Sequence, residues 1–419
     1  MGMTATEKIF ARHAGRDNVR AGEIVTARID RALLNDISGP IAFERLAQMG
    51  VTRLRDPDLA VLVGDHFAPP KDVASARALR SLQRFADEHG VRHHYDIGTG
   101  GIEHTLLPEL GLVRPGDLIV GGDSHTCTYG AFGAIGIGMG STDIAAALAM
   151  GELWFTVPAT LRIEFRGERR PYVTGKDLIL HLLQRLGVDG AAYQSMEFGG
   201  PGMAGLGMDE RMALCNMAVE AGAKTCIVPP DDTTRAWALS APGGAGVIEH
   251  GDADAVYADR LDVALETLPV LCAQPYSPGN VVPVAEVRGV RVDQAYIGNC
   301  ANGTLTDLRQ AAAILRGRKV ARGVRCVVVP ATRNIYRQAL AEGLIDVFAE
   351  AGALVSPSTC GACAGLSTGV LAEGQVCVAT TNRNYRGRMG DPDSQVYLAN
   401  AHVAAASAVA GELIHPEAL

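Results

Sequence analysis

Asp117-Leu118-Ile119-Val120-Gly121-Gly122-Asp123-Ser124-His125 is the stretch on which the reading of this chain turns. A short apolar run stopped by glycine describes a buried strand, and the polar Asp-Ser-His that follows describes a loop at its end. A glycine-dense loop is expected over residues 130–140, then a capped helix opening at Ser141 with Asp143 in its first turn. Upstream, Ala60-Val61-Leu62-Val63 ends on glycine in the same way and leads into Asp65-His66. Strand-like runs alternating with helical patterns point to α/β layering, and residues 1–158 are expected to form a first domain.

Near Thr160 the pattern shifts, because Leu161-Arg162-Ile163-Glu164-Phe165 alternates like a half-exposed strand. A second domain is expected over residues 159–284, with the turn-forming stretch 274–280 as its linker. The α/β rhythm then returns, with strands around residues 295–297, 324–329 and 375–379, so a third domain is expected over 285–419. Single cores stop growing at about 250–300 residues, so a chain of 419 should divide.

A net charge of -8 and the absence of a Lys/Arg-rich run argue against nucleic acid or an anionic membrane as a partner and favour small molecules. No basic segment followed by a long apolar stretch opens the chain, and no stretch suits a membrane span, so the cytoplasm is the expected location. Gly2 and Thr6 fit a myristoylation pattern only formally, since nothing polybasic follows. Nine cysteines in a reducing compartment do not form a disulfide framework.

Three of those cysteines lie after strands or in glycine turns of the third domain: Cys300 in Gly298-Asn299-Cys300-Ala301-Asn302-Gly303, and the pair in Cys360-Gly361-Ala362-Cys363. Spacing alone leaves a structural zinc, buried thiols and an iron-sulfur cluster open. Gly136, Gly138 and Gly140 lack the spacing of a dinucleotide fingerprint. Alone, a strand-end Asp-His reads as a turn, a lone histidine as a hydrogen-bonded structural one, and an arginine-rich loop as a solvated turn.

Taken together with Gly122-Asp123-Ser124-His125-Thr126-Cys127-Thr128-Tyr129-Gly130 and Thr380-Thr381-Asn382-Arg383-Asn384-Tyr385-Arg386-Gly387-Arg388, these motifs resemble the aconitase superfamily, and within it the dehydratase large subunits. The resemblance runs from Ala21 to Ala408. It implies three-layer α/β/α domains arranged around a 4Fe-4S cluster held by Cys300, Cys360 and Cys363. Three ligands for four irons leave one iron open as a Lewis acid. The resemblance assigns proton handling to Asp65, His66, His104, Asp123, His125 and Glu220. Arg383, Arg388, Ser124, Asn216 and Asn382 are expected to bind substrate, Asn216 from behind. A spacing of four would put Asn216 and Glu220 on one helix face. Arg386 is expected to be exposed, and Cys127, Cys215, Cys226, Cys272, Cys326 and Cys377 to be structural.

Two positions depart from the pattern. Asn35 stands where many isopropylmalate enzymes have histidine, and Glu103-His104-Thr105 where Cys-His-Gln is common. They bear on which hydroxy acid is taken, with isopropylmalate, homoaconitate, methylmalate and dimethylmalate as the choices. A cluster-free relative that senses iron or binds RNA is the reading from another class, against which the acidic balance counts. The chain stops soon after its third domain, so the resemblance implies a separate small subunit carrying the swivelling domain, with the hydroxy acid bound between the two.

Overall fold

Apolar runs too short for a helix become strands covered on both faces. In the computed structural model, residues 2–419 are described, and Met1 of the expected first domain lies outside the described residues. Ala60–Val63 and Leu118–Gly121 are buried along their whole length. They belong to a five-stranded parallel sheet ordered His93–Tyr95, Ala60–Val63, Arg31–Asn35, Leu118–Gly121, Ile135–Gly138. Side-chain alternation divides this sheet between two cores. Leu33, Val61, Val63 and Ile119 join the large core shared with the rest of the chain, while Leu34, Leu62 and Val120 pack with Ile144 and Leu148 of the helix Ser141–Met150.

Residues 130–140 are not the expected loop. A 3₁₀ run, Ser124–Phe132, is followed by the strand Ile135–Gly138. The glycines serve close approach: a Cβ on Gly136 would lie 2.0 Å from the Thr126 carbonyl oxygen, and one on Gly138 2.7 Å from that of Asp123. The helix after them is preceded by Gly140, which makes no side-chain cap, so Ser141 is its first residue rather than its cap.

Thr160–Arg166 alternates as its sequence does, with Leu161, Ile163 and Phe165 buried. It lies in a four-stranded parallel sheet ordered Thr225–Ile227, Ser195–Gly199, Thr160–Arg166, Asp259–Ala264. The helix Gly175–Leu186 follows, opened by a reciprocal cap between Thr174 and Asp177.

The third sheet has seven strands, ordered Val281–Pro283, Leu271–Ala273, Gln395–Leu398, Val376–Ala379, Gln294–Gly298, Arg325–Val329, Leu354–Val355. Its first two strands precede the boundary expected at residue 284. They pair antiparallel with each other, and Ala273 pairs with Leu398. Residues 274–280 are accordingly the loop of a hairpin, closed by the Gln274 amide on the Asn280 carbonyl at 2.8 Å. No helix among the described residues is long and apolar enough to cross a membrane.

Candidate active site

Parallel strands deliver their C-terminal loops to one edge of a sheet, and here two sheets present such edges to a common cavity. From the first sheet come Asp65 and His66 after Ala60–Val63, and Asp123 and His125 after Leu118–Gly121. From the third come Cys300 after Gln294–Gly298 and Asn382 after Val376–Ala379. Cys360 and Cys363 reach the cavity from the turn Gly361–Ala364, His104 from the helix Glu103–Glu109, and Arg388 from the loop beyond Asn382.

The loop after Ala60–Val63 is held from several sides. Asp36 accepts the amides of Asp65 at 3.2 Å, His66 at 3.0 Å and Phe67 at 2.6 Å. Asp65 bonds His66 Nδ1 through one oxygen at 2.6 Å and accepts the Glu103 amide through the other at 2.9 Å. Its carbonyl accepts the Cys360 amide at 2.9 Å, which ties this loop to the thiol turn. Nε2 of His66 stands 3.7 Å from Asp123, which also bonds Nε2 of His104 at 2.9 Å and the His125 amide at 2.8 Å.

Some expected residues stand behind the cavity wall. Glu220 bonds His125 Nε2 at 3.0 Å, accepts Arg383 Nε at 2.7 Å, and accepts the Tyr385 hydroxyl at 3.4 Å. Asn216 donates to Cys300 Sγ at 3.2 Å, and Asn382, itself part of the wall, does the same at 3.4 Å while also bonding Asn216 Oδ1 at 3.0 Å. Ser124 reaches His125 Nδ1 at 3.4 Å. Arg386 pairs with Asp393 on the surface. Asn216 and Glu220 do not share one helix face: the helix Met208–Asn216 ends, and Glu220 sits in a separate 3₁₀ turn, Ala218–Ala221. This change of winding lets neighbouring residues serve different partners, the thiol for one and the imidazole for the other.

Burial and ion pairing compete throughout the site. Burial alone would lower the His66 imidazole, but Asp65, with Asp123 farther off, holds it well above its ordinary value. His125, also opposed by burial, is raised to about 9 by Asp123 and Glu220. Burial would raise Asp123, yet bonds to His104 and His125 hold it well below the usual carboxylate range. Glu220 is likewise lowered against its burial by His125 and Arg383. Glu103 goes the other way: burial, then the charges of Asp65 and Asp123, push it well up.

The thiols suit a group larger than one ion. A zinc at about 2.3 Å from each sulfur would draw three of them to within about 3.8 Å of one another. Among the described residues, two sets of three side chains bring ligand atoms within 4.8 Å, Asp36 with Asp65 and His66, and His66 with Glu103 and Asp123, and neither contains a cysteine. Amide donors of Asn216, Asn382 and Asn299 point at the Cys300 and Cys363 sulfurs, an arrangement that favours thiolates. Glu103 Oε2, His104 Nδ1 and Arg388 Nε are buried without partners, as polar atoms awaiting a ligand would be.

Sequence reasoning passed over Lys176, a fully buried residue whose Nζ donates to the carbonyls of Thr380 at 3.1 Å and Thr381 at 2.6 Å. Burial lowers it to about 8, with Cys363, Asp307 and Cys300 pulling it back. Its helix-opening context carried a capping signal and nothing more. Asp36 was missed as well, although its place just after the strand Arg31–Asn35 was a usable signal. The remaining six cysteines are all buried and free, and Cys127 and Cys226 donate to the Cys215 carbonyl at 3.3 and 3.5 Å.

Comparison with known proteins gives a consistent result. The family described as "Aconitase family (aconitate hydratase)" matches residues 7–411. The chain is similar to the "3-isopropylmalate dehydratase large subunit" of Desulfitobacterium hafniense, with 50% identity over 418 residues, covering 100% of this chain and 99% of that one. It is 52% identical over 416 residues to "3-isopropylmalate dehydratase large subunit 2" of Rubrobacter xylanophilus, covering 99% and 98%. A relative of the same description from Heliobacterium modesticaldum is 50% identical over 416 residues, covering 99% of each chain.

Proposed function

The chain belongs to the aconitase family, and from that premise we propose that it is the large subunit of a hydro-lyase interconverting 2-isopropylmalate and 3-isopropylmalate in leucine biosynthesis. The observation that carries this reading is the meeting, in one cavity, of three buried thiols with imidazoles held by carboxylates. A 4Fe-4S cluster on Cys300, Cys360 and Cys363 would supply a Lewis acid for the substrate's hydroxyl and carboxylate.

Proton handling falls to the chain's own side chains. With Nδ1 on Asp65, His66 presents Nε2 to the cavity as the atom that protonates the departing hydroxyl, which leaves as water. Asp123 holds His104 beside it. Glu220 orients His125 and fixes the Arg383 guanidinium. Arg388, whose Nε is unpartnered, and Arg383 bind the substrate's carboxylates.

The relatives are named as large subunits, which implies a smaller partner. We assign to that partner the swivelling domain and the base that removes the carbon-bound proton. Nine free cysteines fit the reducing cytoplasm, where we place the enzyme. The test is to supply the cluster-loaded chain with 3-isopropylmalate, with and without a co-expressed small subunit, and to follow the unsaturated acid. Turnover is expected only with the partner. Full activity of the chain alone would overturn the two-subunit reading, and turnover of a different hydroxy acid would overturn the substrate.

A further inference from the structure

Glu103 is 1% exposed and lines the cavity, yet the proposed chemistry leaves it without a task. Its Oε1 accepts Asn35 Nδ2 at 3.0 Å, and its Oε2 has no partner. Asn35 cannot easily turn its amide round. Its Oδ1 already accepts the Ile37 amide at 3.0 Å, the Ser38 amide at 2.9 Å and the Ser38 hydroxyl at 3.0 Å, which leaves Nδ2 for Glu103.

The groups facing Glu103 come from every side of the cavity. Asp65 accepts its amide at 2.9 Å, His104 Nε2 lies 3.6 Å from its Oε1, and the Tyr129 hydroxyl donates to its carbonyl at 3.5 Å. His66 and Asp123 bring ligand atoms within 4.8 Å of its carboxyl, and Cys300 lines the same cavity. Three carboxyls therefore crowd one small space. Asp65 bonds His66 Nδ1 at 2.6 Å, and Asp123 bonds His104 Nε2 at 2.9 Å and lies 3.4 Å from His125 Nδ1. The side-chain bond to Glu103 comes from a neutral amide. A buried carboxyl without a bonded cation favours its uncharged form, so Oε2 is the oxygen that carries the proton.

We propose that Glu103 is a further substrate-contacting residue, whose Oε2–H donates a hydrogen bond to an oxygen of the bound hydroxy acid, with Asn35 as its positioning residue. The inference rests on the hydro-lyase reading for its ligand. A third negative charge beside Asp65 and Asp123 would repel a substrate that carries carboxylates. A neutral donor at the same place attracts it instead.

Two variants of the cluster-loaded complex separate this role from its rivals, with visible absorption and thermal melting as controls for cluster and fold. Glu103→Gln keeps an acceptor for Asn35 and places an N–H where Oε2 stood. It is expected to hold the KM for 3-isopropylmalate several-fold below that of Glu103→Ala. Glu103→Ala loses the donor and should raise KM about tenfold, in line with one lost hydrogen bond in a buried site. Infrared difference spectra of the complex supply a readout independent of turnover: a carboxylic-acid carbonyl band should vanish in Glu103→Gln and shift when 3-isopropylmalate is added. Glutamine as damaging as alanine with the cluster intact, alanine without effect, or no band lost in Glu103→Gln would each overturn the proposal. If the unaltered complex does not turn over 3-isopropylmalate but the band is present and insensitive to it, the substrate assignment fails while the protonated carboxyl stands.

Discussion

Lys176 Nζ donates to the carbonyl of Thr381 at 2.6 Å, joining the helix Gly175–Leu186 of the middle sheet to the strand end that carries Asn382 and Arg383. No ion pair involves it among the described residues, so its buried charge is balanced by carbonyls and, at longer range, by Cys363, Asp307 and Cys300. Lys176→Met leaves two buried carbonyls without a donor, each worth about 1–3 kcal/mol, partly offset by relief of one buried ammonium. A net loss of about 2 kcal/mol is expected in urea unfolding, with lower iron and sulfide content after anaerobic reconstitution. Unchanged stability and cluster content would remove Lys176 from the support of the site.

His66 and Arg388 should fail differently. His66→Ala removes a proton donor used in the transition state, so kcat should fall by about 10² to 10⁴ with little change in KM. Arg388→Lys loses the guanidinium fork and should raise KM as well. Steady-state kinetics on the two-subunit complex decide this, and an unchanged kcat for His66→Ala would take that histidine out of the chemistry.

Serine at any one of Cys300, Cys360 or Cys363 should abolish the visible absorption of anaerobically prepared protein, because each thiolate is one of three holding the group. Serine at Cys272, a buried cysteine of the hairpin strand Leu271–Ala273, should not. Tight binding of a single zinc, with no uptake of iron and sulfide, would end the cluster reading.

Acid stability has an identifiable contributor far from the site. Arg211 is fully buried and bonds both oxygens of Asp231, at 2.7 and 2.6 Å. Burial would raise Asp231, but Arg211 and the Thr234 amide lower it below its ordinary value of 3.8. A lowered folded-state pKa contributes stability that is complete above about 4 and is lost as pH falls through the folded value. Because Asp231 is partly exposed, solvent screens the effect. Urea midpoints at pH 5 to 3 should fall less steeply for Asp231→Asn than for the unaltered chain, and parallel slopes would contradict the assignment.

Asp65, His66, Asp123, His125 and the three cysteines could be placed from local sequence, because each follows an apolar run stopped by glycine or sits in a glycine turn, while their roles came from the family resemblance. The ends of parallel strands gather at one edge, so residues placed there by local pattern meet without long-range information. The residues that support them were not legible. Lys176 finds its carbonyls 204 and 205 residues away, and Asn35 meets Glu103 across 68. The strands Leu271–Ala273 and Val281–Pro283 join a sheet whose neighbouring strand, Gln395–Leu398, lies more than a hundred residues on.

Sequence by itself determined the α/β alternation, the strand-end positions of the acid, imidazole and thiol groups, and the family to which they belong. Tertiary structure alone decided that Glu103 keeps a free oxygen, that Glu220 serves His125 from a 3₁₀ turn rather than from the helix holding Asn216, and that a buried lysine stands behind the thiols. The reason is physical. Burial removes water as a partner, so the state of a polar group depends on which distant atom packs against it, and neighbouring residues in sequence do not specify that atom.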